Sequence, residues 1–229
     1  MQPYLQRLTV VFLLTLVIFT TVPSIDLWVA GLFYNSETGV FPAAQSPFAL
    51  GVRSVMMNAM LLFPVVALIF LLLNLWKRNL LGVTPLMWGK ILALFLLGPG
   101  LLVNGILKSY WGRARPAYIT EFGGDAAFTP PFQITDQCAR NCSFVSGEAS
   151  GAVAVAIGIF VLTSASSNPV TARNLRRFAI FFAIVGSGMR VAMGRHFLSD
   201  TIFAVLFVLL ISYGLDVLIA RKKLLTLAK

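Results

Sequence analysis

The sequence predicts an all-α fold, a bundle of six membrane-spanning helices whose functional site faces outward, and three observations carry that expectation. Of 229 residues, 58% are hydrophobic and 11% are charged, against roughly 25% charged in an ordinary soluble domain. The apolar residues gather into six stretches: about Leu8 to Val22, Met56 to Trp76, Ile91 to Leu107, Ala149 to Ser164, Phe178 to Gly194 and Thr201 to Ala220. A bilayer core takes about 20 apolar residues per helix, within a range of roughly 17 to 25, so the first and fourth stretches are short. The third observation is the sorting of charge between the two ends of these stretches.

Taken in order, the first stretch follows Arg7, but the TTVPSIDLW behind it offers no small-x-small cleavage site, so it reads as a retained helix. The third is bracketed by Lys90 and Lys108, the fifth contains Arg190 and the sixth contains Asp216. The longest segments outside the spans are residues 23–52 and 108–147, and no internal repeat or soluble domain is visible. Residues 1–229 therefore read as a single domain.

A formal charge of +10 invites a nucleic-acid reading. With the N-terminus inside, six alternating helices place Arg7, Lys77, Arg78, Lys90, Arg173, Arg176, Arg177, Arg221, Lys222, Lys223 and Lys229 on the cytoplasmic side, 11 of the 18 cations. Seven of the eight acids fall outside or at the outer boundary. Basicity thus reports topology, with both termini cytoplasmic, and argues against nucleic acid as a partner.

Arg53, Lys108, Arg113, Arg115, Arg140, Arg190 and Arg195 are left unexplained by orientation. Arg190 is the most telling, because a charge inside a span costs on the order of 2.5 to 3.5 kcal/mol on insertion scales and so belongs in a polar cavity. His196, the one histidine, is followed at i+4 by Asp200, which on a helix brings the two side chains within hydrogen-bond reach. A carboxylate on one imidazole nitrogen leaves the other as nucleophile; the competing role for Asp200 is to cap the sixth helix. CSFVSGEAS, Cys142 to Ser150, opens the fourth helix, and a helix N-terminus with Gly147 lets backbone N–H groups approach an anion. Ser146 as a plain cap and Glu148 as a dipole partner compete with that reading.

Together these fragments offer Lys108, Arg115 and Arg190 as charge clamps, Ser146 and Gly147 as an anion cradle, and His196 with Asp200 as an activated nucleophile. The chemistry implied is phosphoryl transfer, in which positioning and charge stabilisation carry most of the catalysis. One histidine cannot furnish a two-metal centre, Cys142 is not followed by the arginine a thiolate phosphatase needs, and a P-loop is absent. No metal or cofactor is expected.

These residues match a known pattern. Lys108 to Pro116 has the form K-x6-RP, Ser146 to Glu148 stands where the pattern has PSGH, and Arg190, His196 and Asp200 fit R-x5-H-x3-D. The chain resembles the type 2 phosphatidic acid phosphatase superfamily of integral-membrane lipid phosphatases. The resemblance implies that His196 attacks phosphorus to give a phosphohistidine, that Asp200 orients it, and that Lys108, Arg115, Arg190 and the Ser146–Gly147 backbone hold the phosphate. FYNSE, GPGLLVNGILKSYWGRARP, FTPPFQITDQCARNCSFVSGEAS and GRHFLSD further resemble bacterial lipid A 4′-phosphatases, over most of residues 33–200. That implies a phosphorylated membrane lipid as partner and a periplasmic site on the inner membrane. Lipid A 1-phosphate, phosphatidylglycerol phosphate, phosphatidic acid and undecaprenyl pyrophosphate stand as alternative substrates, and a phosphotransferase, a transporter and a non-enzymatic scaffold as alternative functions.

Three positions depart from the pattern: Val145 replaces its Pro, Met189 its Ser, and Glu148 the His that protonates the leaving oxygen. Glu148 is read as the general acid, against a capping or substrate-binding role. Arg113 and Arg195 are accessory candidates, with Arg113 open between a second phosphate, the lipid headgroup and the membrane surface. Cys138 and Cys142 are close enough in sequence for a disulfide that shapes the approach to Ser146. Phe128, Pro130, Pro131 and Phe132 read as a loop anchored by aromatics, with insertion into the headgroup region as the alternative.

Overall fold

The computed structural model describes residues 2–77 and 82–227 and places Arg78 and Lys229 of the cytoplasmic cation set outside the described residues, along with the side chains of Lys77, Lys222 and Lys223. Every apolar stretch becomes a helix: α1 (Gln2–Thr21), α4 (Pro47–Lys77), α5 (Pro85–Phe95) with its continuation, α7 (Gly147–Thr163), α8 (Pro169–Ala192) and α9 (Leu198–Leu227). Short helices α2 (Ser24–Gly31), α3 (Pro42–Gln45) and α6 (Lys108–Tyr110) lie between them. The described residues hold no strand, only isolated bridges pairing Asn35 with Val40 and Ile119 with Ala126.

Four helices are long and apolar enough to cross a membrane: Pro3–Thr21, Pro47–Trp76, Pro85–Tyr110 and Leu198–Arg221. Gly147–Thr163 is apolar but shorter, and its 17 residues rise only about 25 Å. The outward faces of α1 and α4 carry exposed Val10, Leu13, Leu14, Leu61, Leu62, Val65 and Leu72, a surface that water would not tolerate at this extent and that lipid solvates. The chain is a membrane protein.

At the centre stands α7, packed against α4, α5, α8 and α9. Its buried residues are mostly small: Ala149, Ser150, Gly151, Ala152, Ala154, Ala156 and Gly158. Small side chains let neighbouring helices approach closely in a membrane, where association depends on packing. A Cβ at Gly158 would lie 2.5 Å from the Phe63 ring.

Between α5 and α6 the chain forms a π-helix over Leu96–Leu107. GPGLLVNG explains it: Pro99 has no N–H to give to the preceding turn, and three glycines weaken the α alternative. Asn104 Nδ2 donates to Pro99 O at 2.6 Å, one turn back along the same segment. Sequence periodicity predicted a regular helix here, and the wider turn sets the direction in which Asn104 and Lys108 leave the span.

The loop of residues 111–146 folds inward. Phe132 packs edge-on to Trp111, Phe144 and Phe203, and Phe128 edge-on to Phe197. Trp111 Nε1 donates to Pro131 O at 2.6 Å. These aromatics therefore anchor the loop to the core. Gly112, at φ +72°, is required twice over, because a Cβ there would also sit 1.5 Å from Thr135 O. The loop carries a Cys138–Cys142 disulfide with Cα atoms 5.6 Å apart.

Candidate active site

One end of the bundle is organised around one buried guanidinium. Arg113 is fully enclosed: its NH1 donates to Asp200 Oδ1 at 2.6 Å and Ser199 Oγ at 2.9 Å, its NH2 to Asp26 Oδ2 at 2.8 Å, and its Nε to Thr129 O at 2.9 Å. Phe197 lies under it, 4.2 Å from ring centroid to Cζ. The guanidinium fork thus ties α2, the long loop and the first turn of α9 together through fully buried Asp26 and Asp200. None of the three readings of Arg113 as an accessory, surface-facing cation describes this position, since the side chain has no access to substrate or lipid. Asp26, one of the seven acids that the sequence places outside or at the outer boundary, is fully buried, and nothing in its sequence neighbourhood marks this.

Arg113 fixes Asp200, and Asp200 fixes the segment holding His196. Asp200 Oδ2 accepts from Ser143 Oγ and from Phe197 N at 2.8 Å; the latter is the reach-back of an acidic side chain in the first turn to the N-cap amide. The expected bond from Asp200 to the imidazole does not form. His196 precedes α9 instead of lying on it, and its Nδ1 is 3.8 Å from Asp200 Oδ2. Nδ1 is instead 2.7 Å from Ser143 O. A carbonyl can only accept, so Nδ1 carries the proton and Nε2 is left with its lone pair. Burial lowers the His196 pKa from 6.5 to about 3 and keeps the ring neutral.

Around His196 a cavity of about 690 Å³ gathers Arg53, Lys108, Arg115, Gly147, Glu148 and Arg190. Its other wall runs along α4 and the π-helix through Met57, Met60, Leu61, Leu92 and Leu96, so one end is polar and the other apolar. A larger cavity of about 830 Å³ between α7, α8 and α9 is lined mostly by apolar residues and holds none of these charges. Six of the eight residues expected to bind or react, Glu148 among them, thus meet at one place, while Ser146 and Asp200 are not among its lining residues. Ser146 is buried, and its Oγ accepts from Ala149 N at 3.2 Å, so it caps α7. Gly147 lets Asn104 in, with a Cβ there lying 3.0 Å from Asn104 Oδ1.

Glu148 is held between cations. Arg53 Nε and NH2 both donate to Oε1, at 3.1 and 2.7 Å, and Arg190 Nε lies 3.3 Å from the same oxygen. Arg53 stands on α4, 95 positions away in sequence and in no recognisable motif. Arg190 is buried, its Nε makes no hydrogen bond, and the carboxylate it faces is that of Glu148. Arg115 NH2 donates to Asn141 O at 2.6 Å in the disulfide-closed loop, and burial together with Arg195 lowers the Arg115 pKa. Arg195 bonds Tyr118 Oη at 2.7 Å and borders a small cavity with Arg53, Arg115 and Arg190. Among the described residues no three His, Cys, Asp or Glu side chains gather as metal ligands.

A lipid A 4′-phosphatase of Francisella tularensis subsp. novicida is 31% identical to the chain over 220 residues, covering 90% of the chain and 91% of that protein. Two further lipid A 4′-phosphatases, from Rhizobium leguminosarum and Rhizobium etli, are 38% and 41% identical over 115 and 113 residues, and the chain spans under half of each. No solved structure matches significantly. The PAP2 superfamily model matches residues 88–222, which contain Lys108, Arg115, Glu148, Arg190 and His196, and the chain belongs to the PAP2 superfamily.

Proposed function

We propose that the protein is a lipid phosphatase that removes the 4′-phosphate of lipid A through a phosphohistidine on His196. The observation that carries the mechanism is the 2.7 Å contact between His196 Nδ1 and Ser143 O, which leaves Nε2 unprotonated toward a cavity of four cations. The substrate rests on the names of the three relatives. Residues 1–229 act as one domain in this reading, with six spans, cytoplasmic termini and a periplasmic site on the inner membrane. The Lys90–Asp216 pair, at 2.6 Å, lies toward the ends of its two helices remote from His196.

The Nε2 lone pair attacks phosphorus while the bond to the sugar oxygen breaks, and that oxygen takes a proton. Lys108, Arg115 and Arg190 receive the equatorial oxygens, with backbone N–H groups at Gly147 beside them. An incoming phosphate claims Arg190 and loosens its hold on Glu148. Glu148 gives the proton to the leaving sugar oxygen and takes one from the water that then attacks phosphorus. The P–N bond breaks, its electron pair returns to Nε2, and inorganic phosphate leaves. No metal enters this sequence, because fixed cations already supply the charge.

The test is mass spectrometry of lipid A incubated with purified protein in detergent and EDTA, with His196→Ala as control. Loss of the distal phosphate, abolished in the variant, is expected. Loss of the proximal phosphate, or turnover of phosphatidic acid or undecaprenyl pyrophosphate with lipid A untouched, would move the substrate and keep the mechanism.

A further inference from the structure

A second cavity, of about 450 Å³, adjoins the first across Lys108. Six residues line it: Asn104, Lys108, Ser109, Tyr110, Arg140 and Asn141. Asn104, Lys108 and Asn141 are walls of both cavities. Its size lies within the roughly 300 to 1,000 Å³ of small-molecule sites, yet its chemistry is unlike the main cavity. It has no aliphatic wall. Two amides and a serine hydroxyl provide donors and acceptors together, Tyr110 adds a phenol and an exposed ring face, and Lys108 and Arg140 add two cations with no acid between them.

The geometry points to a subsite for the sugar of the leaving group, and we propose that this cavity takes the pyranose ring bearing the phosphate, reading it by hydroxyl contacts from Asn141 and Arg140 and by the Tyr110 ring. The inference rests on the phosphatase reading and deepens it. In a phosphomonoester a single oxygen joins phosphorus to the alcohol, so the alcohol's carbons must lie within a few bonds of the cation cluster. The cavity beside Arg195 measures only about 140 Å³, below the size of a small-molecule site, which leaves the polar cavity and the apolar end of the main one to receive them. Acyl chains fit the apolar wall of Met57, Leu61 and Leu96; a ring rich in hydroxyls finds its partners on the other side of Lys108. A lipid with no sugar has nothing to place there, so the subsite gives selectivity between phospholipid classes. It is also held in place by the chain: the Cys138–Cys142 disulfide closes the loop that carries Arg140 and Asn141, and Asn141 O accepts from Arg115, which couples this wall to the phosphate site.

The experiment compares kcat/KM for a 4′-phosphorylated glucosamine disaccharide lipid with that for phosphatidic acid in the same detergent micelles, for the wild type, Arg140→Ala and Tyr110→Ala. Both side chains are exposed, so neither variant strips the core, and thermal unfolding of each checks that it is folded. The expected result is a ratio, glycolipid over phosphatidic acid, that falls tenfold or more in Arg140→Ala and severalfold in Tyr110→Ala, with most of the change in KM. Ser109→Trp, which fills the cavity, lowers the same ratio further. A ratio equal to that of the wild type in all three variants overturns the subsite. If the wild type releases phosphate from neither lipid, the phosphatase reading itself falls, which is a separate outcome.

Discussion

His196 donates from Nδ1 to the carbonyl oxygen of Ser143 at 2.7 Å, so a main-chain group sets the tautomer of the ring. Because the acceptor is backbone, Ser143→Ala retains it and loses only the hydroxyl bond to Asp200, worth about 1 kcal/mol. Phosphoenzyme trapped by acid-free rapid quench and read by mass spectrometry is expected on residue 196 in the wild type and in Ser143→Ala, and to be absent in His196→Ala. Its absence in Ser143→Ala would mean that the hydroxyl, and through it Asp200, sets the ring.

The same burial makes the fold sensitive to acid. The His196 pKa falls from 6.5 to about 3 on folding, so between those values the unfolded chain binds a proton that the folded chain does not. Stability contributed by this site therefore drops as pH falls from 6.5 toward 3. His196→Asn keeps a donor for Ser143 O and removes the titration. Its Tm is expected to decline less than that of the wild type between about pH 7 and about pH 5, measured by thermal unfolding in detergent; equal declines would contradict a buried neutral ring.

Arg113 and Arg115 stand two positions apart and do different things. Arg113→Met leaves Asp26 and Asp200 buried without their cation and is expected to cost about 3 to 5 kcal/mol. Arg115→Met is expected to lower kcat/KM by at least about a hundredfold, as removal of one charge-stabilising donor does, with Tm near that of the wild type. Thermal unfolding and phosphate release on both variants separate the roles.

Glu148→Gln removes the proton donor and keeps the size. Release from a sugar phosphate is expected to fall by about 10² to 10⁴, while an aryl phosphate, whose leaving group needs no proton, is turned over at a rate near that of the wild type. Equal losses on both substrates would make Glu148 a holder of Arg190 and nothing more.

Arg53→Met tests a residue that no motif contains. The half-exposed ion pair adds at most about 1 kcal/mol to stability, yet its loss frees Glu148 to turn away from Arg190. A fall in kcat/KM of about tenfold or more with little change in Tm is expected, and a Tm loss without a kinetic one would leave Arg53 a packing residue.

Composition by itself determined the class of this protein: a helical chain in a membrane, and the cations that orientation leaves over, follow from local patterns of apolar and charged residues. Short motifs also named Lys108, Arg115, Glu148, Arg190 and His196, which the fold brings to one cavity. Tertiary structure alone decided what those patterns cannot encode. Asp26 and Arg53 join the site from 87 and 95 positions away, through contacts between elements with no shared motif. Arg113 turns inward because two carboxylates wait there, whereas Arg115, two positions on, turns to the cavity. The partner of His196 is a carbonyl because the chain breaks helix before Leu198, and a backbone acceptor has no residue type by which a sequence can announce it. Close approach and burial are properties of pairs brought together by packing, and only the folded chain contains the pairs.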